Sequence, residues 1–136
     1  MLKSKLFAMK KLFLFLFLTC ISGPSHASWT LSTENEIYTL YSDRTRIQRE
    51  GDFRRMWTLA NLHKVEVVAG KGFISWIRFD EYDCRNKRSR PLKMNFYNGQ
   101  MGSGNLVYSL DPDKDWSFVV PNSTGEKLLN IACSKK

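Results

Sequence analysis

Ile77-Arg78-Phe79-Asp80-Glu81-Tyr82-Asp83-Cys84 reads as the rear half of a central β-strand that ends on a cysteine. Counting back from it, Phe73, Ser75, Ile77 and Phe79 line one face, with Trp76, Arg78, Asp80 and Tyr82 opposite. Aromatic side chains on both faces fit a strand covered on one side and partly covered on the other. At the far end of the chain, Ser123-Thr124-Gly125-Glu126 has the spacing of a capping box, in which the serine hydroxyl accepts from the third helical amide and the glutamate reaches back. Leu128, Leu129, Ala132 and Cys133 then form an apolar stripe at helical spacing, and Lys135 and Lys136 complement the negative end of the helix dipole. A helix this short does not persist alone, so packing must hold it.

The beginning of the chain shows which cysteines remain to do this. Lys3, Lys5, Lys10 and Lys11 precede an apolar block from Leu12 to Ile21, which Ser22-Gly23-Pro24 breaks. That block is about half of what spans a bilayer, so it reads as a signal-peptide core, with cleavage expected after Ala27 of Ser25-His26-Ala27. The rival reading cuts before Cys20 and acylates it, but Phe17 and Thr19 stand where a lipoprotein peptidase prefers an aliphatic and a small residue. The leader removes four of the 21 basic residues, none of the 13 acids and one of three cysteines, so a 109-residue domain of charge +4 remains. Nucleic acid is therefore not an expected partner, and the mature chain has no transmembrane segment. An even pair of cysteines in an exported chain is normally a disulfide. Cys84 is thus expected to bond to Cys133, tying sheet to helix and stabilising the fold by roughly 4 kcal/mol.

Between these points the chain alternates apolar and polar residues. Strands are expected around Ile37–Ser42 and Ile47, and over Phe53–Leu62, where Phe53, Arg55, Trp57 and Leu59 share one face. Residues 63–72 are ambiguous, with Gly70-Lys71-Gly72 as a turn. Arg85–Arg90 reads as a charged connection, and Pro91 admits a new strand only beyond itself, through Met94, Phe96 and Tyr97. The glycine-rich segment 98–105 reads as a hairpin loop, followed by a strand over Leu106–Leu110, an Asp111-Pro112-Asp113 turn, and Trp116, Phe118 and Val120 before Pro121. The expected architecture is α+β: a single antiparallel meander of about six strands with one C-terminal α-helix packed on it and disulfide-linked to it.

Several of these segments also carry a family resemblance. Glu81-Tyr82-Asp83-Cys84-Arg85-Asn86-Lys87, Tyr97 to Gly104, Trp116, Val120-Pro121-Asn122-Ser123 and Cys133 resemble the surface-adhesin protein E-like family of bacterial envelope proteins. Trp29, Tyr41-Ser42-Asp43 and Met56-Trp57-Thr58-Leu59 look like that family's early strands, which delimits residues 28–136 as the domain and 1–27 as the leader. The resemblance implies an antiparallel sheet with a disulfide-linked C-terminal helix, binding of host extracellular-matrix proteins, and dimerisation. The ordinary look of the leader leaves a periplasmic structural or accessory role as the alternative.

No catalytic or metal-binding constellation stands out, and no cofactor is called for. His63 is the one histidine after residue 27, and a hydrolase built on it would need a serine or carboxylate brought close by the fold; a solvent-facing strand end is the plainer reading. Asp111, Asp113 and Asp115 imitate the start of a calcium loop, but Trp116 and Asn122 stand where such a loop needs glycine and a bidentate glutamate. Gly99, Gly102 and Gly104 have dinucleotide-loop spacing in reverse with no strand-to-helix step, so they are hairpin glycines. The best candidates for binding are the basic residues, of which Arg44, Arg46 and Arg49 make one group. Arg54 and Arg55 make a second, and Arg85, Lys87, Arg88, Arg90 and Lys93 a third. Arg54, Arg55, Arg85, Lys87, Arg88, Arg90 and Lys93 are the candidate ligand-binding set, suited to a host extracellular-matrix protein or a sulfated glycan. Solvated charges guarding strand edges are the competing reading.

Overall fold

A computed structural model describes residues 27–134; residues 1–26, which are all but the last residue of the expected leader and include Cys20, and the two terminal lysines lie outside the described residues. Eight strands form one antiparallel sheet: β1 (Trp29–Glu34), β2 (Tyr38–Asp43), β3 (Gln48–Glu50), β4 (Phe53–Val68), β5 (Lys71–Asp83), β6 (Arg88–Tyr97), β7 (Leu106–Leu110) and β8 (Ser117–Phe118). Helix α1 (Thr124–Ser134) follows. The main path runs β1-β2-β4-β5-β6-β7, the expected meander, with β3 added beside β4 and β8 beside β6. The count exceeds six because β1, over Trp29–Glu34, is not set apart as a strand in sequence and β8, of two residues, is too short to show a period.

The long central hairpin corrects two boundaries. β4 continues through the ambiguous stretch to Val68, and the chain reverses at Ala69-Gly70, where φ is positive at both residues (48° and 74°). Two consecutive left-handed residues make a tight turn that matches strand twist, which leaves Lys71 and Gly72 inside β5 and not in the turn. Phe73 also departs from the expected alternation. The β4–β5 register shifts between Asn61 and Glu66, and Phe73 packs edge-on against Phe96 at 4.8 Å, beside Leu62. Pro91 lies within β6, not before it. Register shifts there too, between Phe79 and Asp80, and the proline sits between the stretches of β6 that pair with β7 and β8, where a missing N–H costs least.

One face of the sheet carries α1. Leu40, Met56, Ala60 and Tyr82 project onto Leu128, Leu129 and Ala132, all buried. The cap works as its sequence suggests: Glu126 N donates to Ser123 Oγ at 3.2 Å, while the Glu126 carboxylate accepts one residue further back than expected, from Asn122 N. Cys84, just past β5, is bonded to Cys133, with Cα atoms 5.8 Å apart. The helix is thus clamped to the middle strand of the molecule.

Candidate functional site

The candidate cations gather on the face opposite the helix and at one end of the sheet. Arg55 pairs across strands with Glu81, and Glu81 in turn with Arg90; Asp83 pairs with Arg88, and Phe79 with Lys93. Side chains at directly opposed positions project to the same side. Arg55, Arg88, Arg90 and Lys93 therefore share one surface, while Arg54, one residue out of phase, lies on the helix side. Arg85 and Lys87 occupy the turn between β5 and β6, the latter at φ 50°.

Most of the arginines on this surface are already engaged. Arg55 Nε donates to Glu81 Oε2 at 2.6 Å, and Arg90 donates to Glu81 Oε1 through Nε at 2.9 Å and Nη2 at 2.6 Å. Arg88 Nε donates to Asp83 Oδ2 at 2.8 Å, which also accepts from Asn86 Nδ2 at 2.9 Å. Both carboxylates are buried, at 3 % and 2 % side-chain exposure. Burial alone would raise them, but the hydrogen bonds of Arg55 and Arg90 hold Glu81 below the usual carboxylate range. Those of Asn86 and Arg88 likewise hold Asp83 down to about 2. Asp43 follows the same pattern, lowered against its burial by Thr45 and Arg46.

Above this layer lies Trp116. Phe53 stacks on it at 5.6 Å, and the guanidinium carbons of Arg88 and Arg90 stand 4.8 and 4.4 Å from its ring centroid. Arg54 Nη1 donates to the carbonyls of Gly51 and Phe53. The side chains least committed to the fold are Arg85, which is 75 % exposed and meets the exposed Asp52 at 3.2 Å, and the exposed Lys87 and Lys93.

Other residues of this surface were not legible as a site. Asn61 and Ser75, opposite each other on β4 and β5, hold the glycine-rich loop down. Met101 N donates to Asn61 Oδ1 at 2.6 Å and Gly102 N to Ser75 Oγ at 3.0 Å. Trp57 and Phe79 stack at 4.4 Å beside them. Nothing in a lone Asn or Ser marks such a role; only the register does.

His63 does meet a hydroxyl. Its Nε2 lies 3.1 Å from Thr39 Oγ1 and 3.9 Å from Glu34 Oε1, while Nδ1 faces the Glu36 carbonyl at 3.0 Å. In a relay the carboxylate and the hydroxyl sit on opposite ring nitrogens. Here both sit on Nε2, so the carboxylate competes for the hydroxyl proton. Of Asp111, Asp113 and Asp115, Asp111 meets Lys114 at 3.4 Å, and no group of three metal-ligating residues converges among the described residues. Among those residues no helix is long and apolar enough to cross a membrane.

Solved structures of protein E from Haemophilus influenzae are similar in fold. One is 18 % identical with a TM-score of 0.59, covering 84 % of this chain and 91 % of that one. A second crystal form is 18 % identical with a TM-score of 0.57, covering 76 % and 91 %. Protein E from a non-typeable strain aligns at 18 % identity and a TM-score of 0.52, covering 84 % and 79 %. No curated protein matches the chain in sequence. The family model described as surface-adhesin protein E matches residues 29–134, every strand and the helix, and this chain belongs to that family.

Proposed function

We propose that this chain is an exported envelope domain of the adhesin type, acting by binding and not by catalysis. Its partner is a host extracellular-matrix protein or a sulfated glycan, held through basic and aromatic side chains of the surface opposite the helix. Membership of a family described as surface adhesins supports export and display. The observation that carries the binding reading is the turn between β5 and β6, where Arg85 and Lys87 stand in solvent clear of the buried acids, with the exposed Lys93 five residues beyond Arg88 on β6. Arg55, Arg88 and Arg90 lie between the turn and Lys93 on the same surface, and Arg54 adds a cation on the helix-bearing side. Exposed cations recruit anionic partners over roughly a Debye length, about 8 Å at physiological salt.

The test uses the intact exported protein. Arg85→Gln, Lys87→Gln and Lys93→Gln together should abolish retention on heparin at moderate salt, and protease treatment of whole cells should remove the domain. Unchanged heparin retention would rule out the cationic patch. Protection from protease in intact cells would favour the periplasmic accessory role, which the ordinary cleavage pattern at Ala27 supports.

A further inference from the structure

The sheet ends on β7, and among the described residues the outer side of this strand has no strand partner. Its sequence, Leu-Val-Tyr-Ser-Leu, contains no charge to discourage pairing. Tyr108 and Leu110 share one face of it and Leu106, opposite Tyr97, projects to the other; they are exposed at 37 %, 38 % and 53 %. Tyr108 and Leu110 stand opposite Phe96 and Met94, so they extend the apolar cluster of Leu62, Phe73 and Phe96 out to the rim. On the other side of β7, Ser109 Oγ is satisfied by Asn95 Oδ1 at 2.7 Å. A register shift between Phe96 and Tyr97 bulges the strand at Val107, leaving Tyr108–Leu110 in regular pairing. The opposite edge is built differently: β1 also shifts register, between Leu31 and Thr33, but it is largely polar and ends on Glu34.

Directly beyond Leu110 come Asp111, Asp113 and Asp115, all exposed, with Lys114 as the one cation among them. This is an acidic spot on a chain of net charge +8. A row of free backbone groups beside exposed apolar side chains, ending in carboxylates, complements one kind of occupant. We infer that β7 is a strand-addition site for an extended polypeptide segment of another protein, with alternating apolar side chains followed by basic ones. Backbone hydrogen bonds to β7 supply the affinity, and the apolar face of Tyr108 and Leu110 sets register. The aspartates fix direction by holding the basic end. The inference is independent of the cationic turn, whose partner must be acidic.

The probe is a fluorescein-labelled peptide that alternates valine and threonine over six positions and ends in three lysines, titrated against the protein by anisotropy. Saturable binding is expected, with added protection of β7 amides in hydrogen exchange. A peptide with prolines in place of the valines should not bind, since it cannot complete a ladder. Leu106→Lys with Leu110→Lys should weaken binding about tenfold. Both side chains are exposed, so an unchanged thermal melt is expected to show that the fold is intact. Asp111→Asn, Asp113→Asn and Asp115→Asn together should weaken binding and flatten its salt dependence. The inference is overturned if the peptide does not saturate, if the proline peptide binds equally, or if the paired lysine variant keeps full affinity. It is also overturned if sedimentation finds a dimer that the lysine variant dissociates, since the edge then belongs to a second copy of this chain.

Discussion

Asp83 shows how a single side chain is tied to folding. Its carboxyl is buried, which by itself favours the neutral form, yet Asn86 and Arg88 hold it down to about 2. A carboxyl depressed in the folded state contributes stability that is present above its unfolded pKa and is lost as pH falls through the folded value. Asp83→Asn should therefore cost about 1–2 kcal/mol near neutral pH. The gap from wild type should shrink between about pH 4 and pH 2, as read from urea midpoints across that range. A gap of constant size down to pH 2 would contradict the assignment. Asp80 has the opposite sign. Burial raises its carboxyl, and Arg78 Nε at 2.7 Å offsets only part of this, so its contribution fades as pH rises through the raised value. In sequence these acids looked like ordinary alternating polar positions of a strand. Arg88 reaches Asp83 from the neighbouring strand, and one sequence does not state register across a turn.

At the scale of elements, the apolar stripe and cap of α1 identified the helix, and counting cysteines identified its anchor. The bridge closes a separation of 49 residues. Cys84→Ser should lower stability by about 4 kcal/mol on the chain-entropy account. It should also lower helical ellipticity at a temperature where wild type is intact, and retention of full ellipticity there would mean that packing alone holds the helix. The glycine-rich loop was recognisable as a loop but not as a lid on the sheet. Gly102 has φ 68°, and a β-carbon on it would come within 2.5 Å of Ile77 Cδ1. Gly102→Ala should cost about 1–3 kcal/mol. It should also loosen the contacts of Asn61 and Ser75 with the loop, seen as faster exchange of the Met101 and Gly102 amides. Pro91 was misplaced because a proline normally excludes a strand interior, and the bulge that admits it arises from pairing with three different strands. The turn at Ala69-Gly70 was hidden for a related reason: Gly70 and Gly72 look alike in sequence, and only one has positive φ.

Taken as a whole, the molecule separates cations that build the sheet from cations that are available to a partner. The count of arginines and lysines in sequence makes no such division, so neutralising Arg85, Lys87, Arg88 and Arg90 together would mix two effects. Arg88 and Arg90 each satisfy a buried carboxylate and lie against Trp116, and removing them leaves Asp83 and Glu81 short of partners in a place that water reaches poorly. Arg88→Gln with Arg90→Gln should therefore cost at least about 2 kcal/mol and lower the thermal midpoint, with heparin retention falling only as far as folded protein is lost. Arg85→Gln, Lys87→Gln and Lys93→Gln should do the reverse, staying within about 0.5 kcal/mol of wild type while retention falls. Measuring both quantities on both variants decides the division. If the first pair leaves stability untouched and removes heparin binding, the buried acids are not what those arginines serve, and the binding surface extends onto the sheet face itself.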